Sequence, residues 1–354
     1  MSGRLLRLVC TAAVAAGTVL APLPAAAVPA PEPGGRTVSQ QLTDLHRLYR
    51  EAEKATETYN ATAEKLKKQR AEVTRLDRAL ARARLSLHDS RGAAGRLARQ
   101  QYQGSTDISP YVRLLLARDP QQALDQGHVI GQLARERAET VGRLTGTEKK
   151  ADELARKARK ALDDQLSLAQ RQKKDRDDVR GRLKDVEQLL VSLTPEQLAT
   201  LAQLEKNGIA KAQQQFMASG ALSDDREPSR EGGRALRYAV QQLGKPYQWG
   251  AQGPKTYDCS GLTSQAWDHA GSPIPRTSQE QWAQLRKVPL QQLRPGDLVV
   301  YFPEATHIAM YVGRGMVIQA PRTGEDVKVS PIATYPVLGA VRPDGGQAPA
   351  TEAR

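Results

Sequence analysis

Aromatic residues are scarce in this sequence. Fifteen occur in 354 residues, and ten of them, with all three tryptophans, lie beyond residue 228. A chain of this length ordinarily divides into two or three domains, yet only its last third has the large side chains of a globular core. Proline is as uneven: residues 37–218 hold only Pro110, Pro120 and Pro195. Cysteine is nearly absent, at Cys10 and Cys259 alone, which excludes a disulfide scaffold and a Cys-based zinc site. The sequence also lacks the repeated long apolar runs of a multi-span membrane protein. Acidic residues are outnumbered, 39 against 52 basic, for a net charge of +13.

The amino end reads as an export signal. Arg4 and Arg7 precede an uncharged stretch, LVCTAAVAAGTVLAPL (8–23), and Ala25-Ala26-Ala27 suits cleavage near Ala27. The apolar run is short for a hydrocarbon core of ~30 Å and contains Pro22, so residues 1–27 are expected to be a signal peptide rather than an anchor. The chain is then secreted, extracellular or in the cell wall, with Cys259 its only thiol. A Pro-rich segment follows at 28–36.

Residues 37–218 carry heptad patterning. Val38, Leu45, Ala52, Tyr59, Leu66, Val73, Leu80 and Leu87 form one apolar column, which predicts a helix from about 37 to 103. A second column, Ala134, Val141, Glu148, Ala155, Leu162, Ala169, Arg176, Leu183 and Leu190, predicts another from about 121 to 192. A further helix is expected from Pro195 to about 217. Between the long arms lie GSTDISP and the apolar YVRLLLA (111–117). Two long arms joined by a short segment suggest an antiparallel coiled-coil hairpin. The apolar segment needs cover, and folding back on the hairpin tip is expected, with docking of a partner as the alternative. Lys and Arg alternate with Asp and Glu, as on a solvated helix face. No basic cluster is interleaved with aromatics, so nucleic acid is not an expected partner. Attraction to anionic wall polymers is a more natural use of the charge. Residues 219–233 read as a flexible linker.

Residues 234–342 carry the candidate chemistry. A Gly- and Pro-rich loop ends at Cys259, where the apolar periodicity of Leu262, Ala266 and Trp267 begins. That places the thiol at a helix N-terminus, whose free amides favour a thiolate and can hold an oxyanion. His269 lies ten residues along the same helix, about 15 Å away, out of reach of the sulfur. His307 opens the strand-like HIAMYVG, and either pairs with the thiol or is a strand-edge histidine. Gln319, on the next strand-like run, can orient one ring nitrogen through its side-chain oxygen.

At this point a resemblance emerges. GKPYQWG (244–250), YDCSGL (257–262), IPRTSQEQ (274–281), LRPGDLVVYF (293–302), HIAMYVG (307–313) and VIQAP (317–321) resemble, in order and spacing, the NlpC/P60 family of cell-wall cysteine peptidases. The resemblance implies a papain-like α+β domain with Cys259 as nucleophile, His307 as general base and Gln319 in the third position, where His is more usual. It further implies that Tyr247 lies beside the thiol as an oxyanion donor, that Asp258 and Ser260 contact substrate or hold the loop, and that Arg276 is structural. Ala251 stands where a second Gly is usual. No metal or cofactor is implied.

The expected function is a secreted peptidoglycan endopeptidase that cleaves stem peptides between D-isoglutamate and the diamino acid. The hairpin is expected to contact a membrane-embedded regulator of cell division or to fold over the active site until released. A catalytically weak scaffold or activator, and an amidase or acyltransferase on the same fold, are the alternatives. Residues 343–354 read as a disordered tail.

Overall fold

The computed structural model describes residues 36–103, 110–117, 119–222 and 226–345. The expected signal peptide and all but the first residues of the tail lie outside these. The chain divides into two compact units, Lys65–Gln170 and Met1–Glu64 with Arg171–Arg354.

Two helices run through both units: α1 (Val38–Gln103) and α3 (Pro120–Val191). Within Lys65–Gln170 they pack antiparallel. Leu76 and Leu80 of α1 meet Ala158 and Ala161 of α3, and Gln69 Nε2 donates to the Ala161 carbonyl at 2.9 Å. The seam on α3 is displaced from the predicted column. Ala151, Ala158 and Ala161 are buried, whereas Leu162 is exposed. Alanine lets two helices approach closely, so the small residues take the seam and the larger leucine is turned out. The short helix α2 (Pro110–Leu115) does not find the cover expected for it. Leu115 and Leu116 keep 83% and 66% of their surface exposed, and Leu124 keeps 74%.

In the other unit, Leu45 of α1 packs with Val186 and Leu193, and with Leu201 of α4 (Pro195–Ala218). Thr62 donates to Asp175 at 2.6 Å, and Arg182 pairs with Glu51 at 2.6 Å. Thr194 caps α4 in a reciprocal capping box with Gln197, and Pro195 follows where no amide is needed.

The remaining elements form the α+β domain. They are α5 (Arg230–Val240), α6 (Cys259–His269), α7 (Ser278–Gln284), and strands β1 (Arg286–Val288), β2 (Leu298–Tyr301), β3 (His307–Gly313), β4 (Met316–Gln319), β5 (Lys328–Pro331) and β6 (Val337–Arg342). The sheet order is β1-β6-β2-β3-β4-β5, with every pair antiparallel. The central strands are apolar on both faces because both are covered. Leu298, Val300, Ile308, Met310 and Ile318 share one core with Leu262, Ala266 and Trp267 of α6. Val299, Ala309 and Val317 join a second with Phe216 of α4. Cys259 at the start of α6 belongs to the same core as Ile308 and Ile318, the neighbours of His307 on β3 and Gln319 on β4.

Candidate active site beneath helix α1

Asp258 starts α6. Its Oδ1 accepts the Gly261 amide at 2.7 Å, the N-cap bond that satisfies an otherwise orphaned donor. Gly261 is needed here, since a Cβ would stand 2.1 Å from the Ala251 carbonyl oxygen. Asp258 also receives both guanidinium nitrogens of Arg276, at 3.0 and 2.6 Å, and the Gly250 amide at 2.9 Å. These bonds tie Asp258 to its own helix, to the preceding loop and to Arg276. Arg276 is buried as its structural partner and also donates to Ser260 Oγ at 2.8 Å.

Cys259 is thereby the first residue of α6, and His307 the first of β3. His307 Nε2 donates to Gln319 Oε1 at 2.6 Å. A carboxamide oxygen only accepts, so the proton sits on Nε2 and leaves Nδ1 as the free ring position. Nδ1 has no hydrogen-bond partner and lies 3.5 Å from Glu53. Burial, and then the nearby charge on Cys259, push the Tyr247 hydroxyl well above its usual range. His269 is exposed and stacks on Tyr238, 4.2 Å between centroids.

The cleft is covered. Cys259 is 3% exposed, His307 0%, Gln319 1% and Tyr247 8%. The cover is α1, through residues that the heptad reading assigned to a solvated face. Glu57 Oε1 accepts from Ser260 Oγ at 2.7 Å and lies 3.9 Å from Cys259 Sγ. Its Oε2 accepts the Ser278 amide at 2.8 Å. Asn60 donates to Asp258 at 3.1 Å, and Tyr59 meets Trp249 edge-on with centroids 5.2 Å apart. The signal for this was present: Glu53, Thr56, Glu57 and Asn60 recur at the spacing of one helical face, and all four are buried.

This cover reverses the expected thiol chemistry. Burial, and then the carboxylates of Glu57, Asp258 and Glu53, push the Cys259 thiol well above its usual range, with Arg276 opposing only in part. The helix N-terminus therefore does not yield a thiolate in this state. Burial works to lower the His307 pKa, but Glu53 and the bond to Gln319 outweigh it and raise it. Burial and the Asp258 charge lift Glu57 to about 7, against Arg276 and the donors Ser260 and Ser278. Among the described residues no cluster of three or more His, Cys, Asp or Glu is arranged to hold a metal ion.

Residues 244–338 match the model of the NlpC/P60 family. The chain is 41% identical over 116 residues to a Corynebacterium glutamicum protein named "Probable endopeptidase", a span of 32% of this chain and 56% of that one. It is 36% identical over 126 residues to "Murein DD-endopeptidase MepH" of Escherichia coli K12, over 33% of this chain and 46% of that one. The crystal structure of the NlpC/p60 domain of peptidoglycan hydrolase SagA is 31% identical, with a TM-score of 0.30, over 31% of this chain and 97% of that one. The chain thus spans about half the length of the curated relatives it matches. The carboxyl-terminal part of the chain is thus an NlpC/P60 domain.

Proposed function

We propose that this protein is a secreted peptidoglycan endopeptidase working by Cys–His catalysis in wall remodelling or division. The observation that carries the reading is that one face of α1 reaches both groups, Glu57 lying 3.9 Å from the Cys259 sulfur and Glu53 3.5 Å from a His307 ring that is held by Gln319 at 2.6 Å. Gln319 keeps the proton on Nε2, so Nδ1 is the nitrogen free to take the thiol proton once the cleft is open. Cys259 Sγ then attacks the scissile carbonyl. The α6 amides and the Tyr247 hydroxyl stabilise the oxyanion. The proton on His307 passes to the leaving amine, and His307 next activates water to release the acyl group from sulfur.

The family resemblance points to the D-isoglutamyl–diamino acid bond of the stem peptide. The name of the Escherichia coli relative specifies a DD-endopeptidase, so fragment masses are the deciding readout. The uncovered Val112, Leu115 and Leu116 suit the docking of a membrane-embedded division regulator, with the leader directing export. Sacculi digested with the full chain, wild type and Glu57→Lys, should release stem-peptide fragments. Cys259→Ala in either background should release none. Persistent release with Cys259→Ala would sink the mechanism, and fragments cut at the sugar–peptide link would make the enzyme an amidase. A correctly folded Glu57→Lys chain that releases nothing would favour the scaffold reading.

A further inference from the structure

We infer that Tyr335 is a positioning residue for His307. With Tyr301 it holds the plane of the imidazole, and Phe302 holds Tyr335 in turn. The inference rests on the peptidase reading for what the imidazole does, while the contacts that hold the ring are independent of it.

Gln319 alone does not set where Nδ1 points. A histidine ring turns about χ2, a broad torsion with two-fold character. Nε2, at the far end of the ring, lies closer to that axis than Nδ1 does. The 2.6 Å bond from Nε2 to Gln319 therefore pins one end of the ring and resists the swing of Nδ1 less well. Rings packed beside the imidazole supply the missing restraint.

Two tyrosines do so. Tyr301 on β2 stands opposite His307 on β3 in the strand register, so the two side chains share a face of the sheet. Their ring centroids are 5.7 Å apart at an interplanar angle of 47°. Tyr335 follows a 3-10 turn, Ile332–Thr334, and meets His307 at 5.0 Å and 75°. It also meets Tyr301 at 5.8 Å and 82°. The three rings are thus in mutual contact, two of the pairs edge-to-face, an arrangement with a preferred orientation rather than mere bulk.

Phe302 is the buttress. Its φ of 62° is left-handed, a conformation that bulky residues rarely adopt. The turn it begins leads directly into His307, with the Phe302 amide donating to the Pro336 carbonyl at 3.0 Å and the Ala305 amide to the Phe302 carbonyl at 3.0 Å. This backbone sets the Phe302 ring against Tyr335, 5.4 Å between centroids. Both rings border a cavity of about 330 Å³, shared with Leu42 and Ile209, so close packing on that side does not hold Tyr335. A strained backbone persists where its surroundings over-determine it, and such residues cluster at functional sites. A tyrosine that only filled the core would need no such support.

The test uses the full chain carrying Glu57→Lys, which sets an ammonium against Arg276 and so loosens the α1 cover. Glu53 and residue 57 of α1, Tyr301 of β2 and Gln319 of β4 also face His307, and one shared background holds them constant. The first readout is the His307 tautomer, by NMR of ¹⁵N-histidine, assigned among five histidines through His307→Gln. The background chain and Tyr335→Phe should show Nε2–H alone, and Tyr335→Leu a mixture of both tautomers. The second readout is alkylation by iodoacetamide of Cys259, the only thiol after removal of the leader. At neutral pH Tyr335→Leu should react about tenfold more slowly, and Tyr335→Phe within about twofold of the background. The difference should close above about pH 10, where the thiol ionises unaided.

A folded Tyr335→Leu chain with unchanged tautomer and unchanged alkylation would overturn the inference, even if its melting temperature falls. If Tyr335→Leu does not fold, Phe302→Gly takes its place with the same expectation, since glycine accepts the left-handed turn. Sacculus digestion separates this inference from the peptidase reading. A loosened ring in a series that never releases fragments defeats the peptidase and leaves the positioning role standing. Equal release by all variants, with one tautomer throughout, does the reverse.

Discussion

Asp258 and Arg276 show how much of the site is scaffolding. Their pair is buried, with side chains 0% and 6% exposed. Breaking such a pair on one side leaves a desolvated charge, a loss of ~3–5 kcal/mol. Arg276→Ala is therefore expected to lower the melting temperature sharply, whereas an exposed pair such as Arg75–Glu72 should be nearly neutral to replacement. Thermal denaturation of both variants checks this. Gln319 holds the His307 ring at 2.6 Å, and the role proposed for it is to orient that ring rather than to meet substrate. In the Glu57→Lys background, Gln319→Ala should lower kcat about ten- to a hundredfold with KM little changed. Gln319→His should recover most of the loss. An equal fall in kcat and rise in KM would place Gln319 in substrate binding instead.

At the scale of elements, the α1 cover is expected to loosen as pH rises. Glu57 faces Asp258, Arg276, Ser260 and Cys259 from α6 and its flanking loops, and Ser278 from α7. Glu53, His307 and Tyr247 complete the charged surroundings. The Glu57 carboxyl rises from an ordinary 4.5 when free to about 7 when covered, so the covered state binds its proton more tightly. The contribution to closure is full below the free value and is lost as pH rises through 7. His307 and Cys259, both raised when covered, act in the same direction. Alkylation of wild type relative to Glu57→Gln should therefore climb between about pH 5 and 8. A ratio independent of pH would remove Glu57 from this response.

The same helix shows where reading by sequence runs out. Its ends, those of α3 and the start of α6 at Cys259 were legible, because periodicity and helix stops are local. His307 and Gln319 could be named from strand character and side-chain chemistry. The polar face of α1 was not, because a glutamate stripe looks the same whether it meets water or a cleft two hundred residues away. The seam of α3 escaped for a related reason: alanine against alanine is decided by how closely two helices approach, which a column of letters does not record.

Across the whole molecule, the scarcity of aromatics divides along the line of function. The unit Lys65–Gln170 holds two tyrosines and neither tryptophan nor phenylalanine, and its helices meet through small residues. The large rings are concentrated in the α+β domain. No described helix is long and apolar enough to cross a membrane. The burial of Cys259 has one more consequence. Peroxide attacks thiolates that it can reach, and the covered sulfur is neither ionised nor accessible. While α1 stays in place, the same burial shields the Cys259 sulfur from oxidants that approach from solvent, and a folded chain with α1 displaced should lose this thiol to peroxide faster.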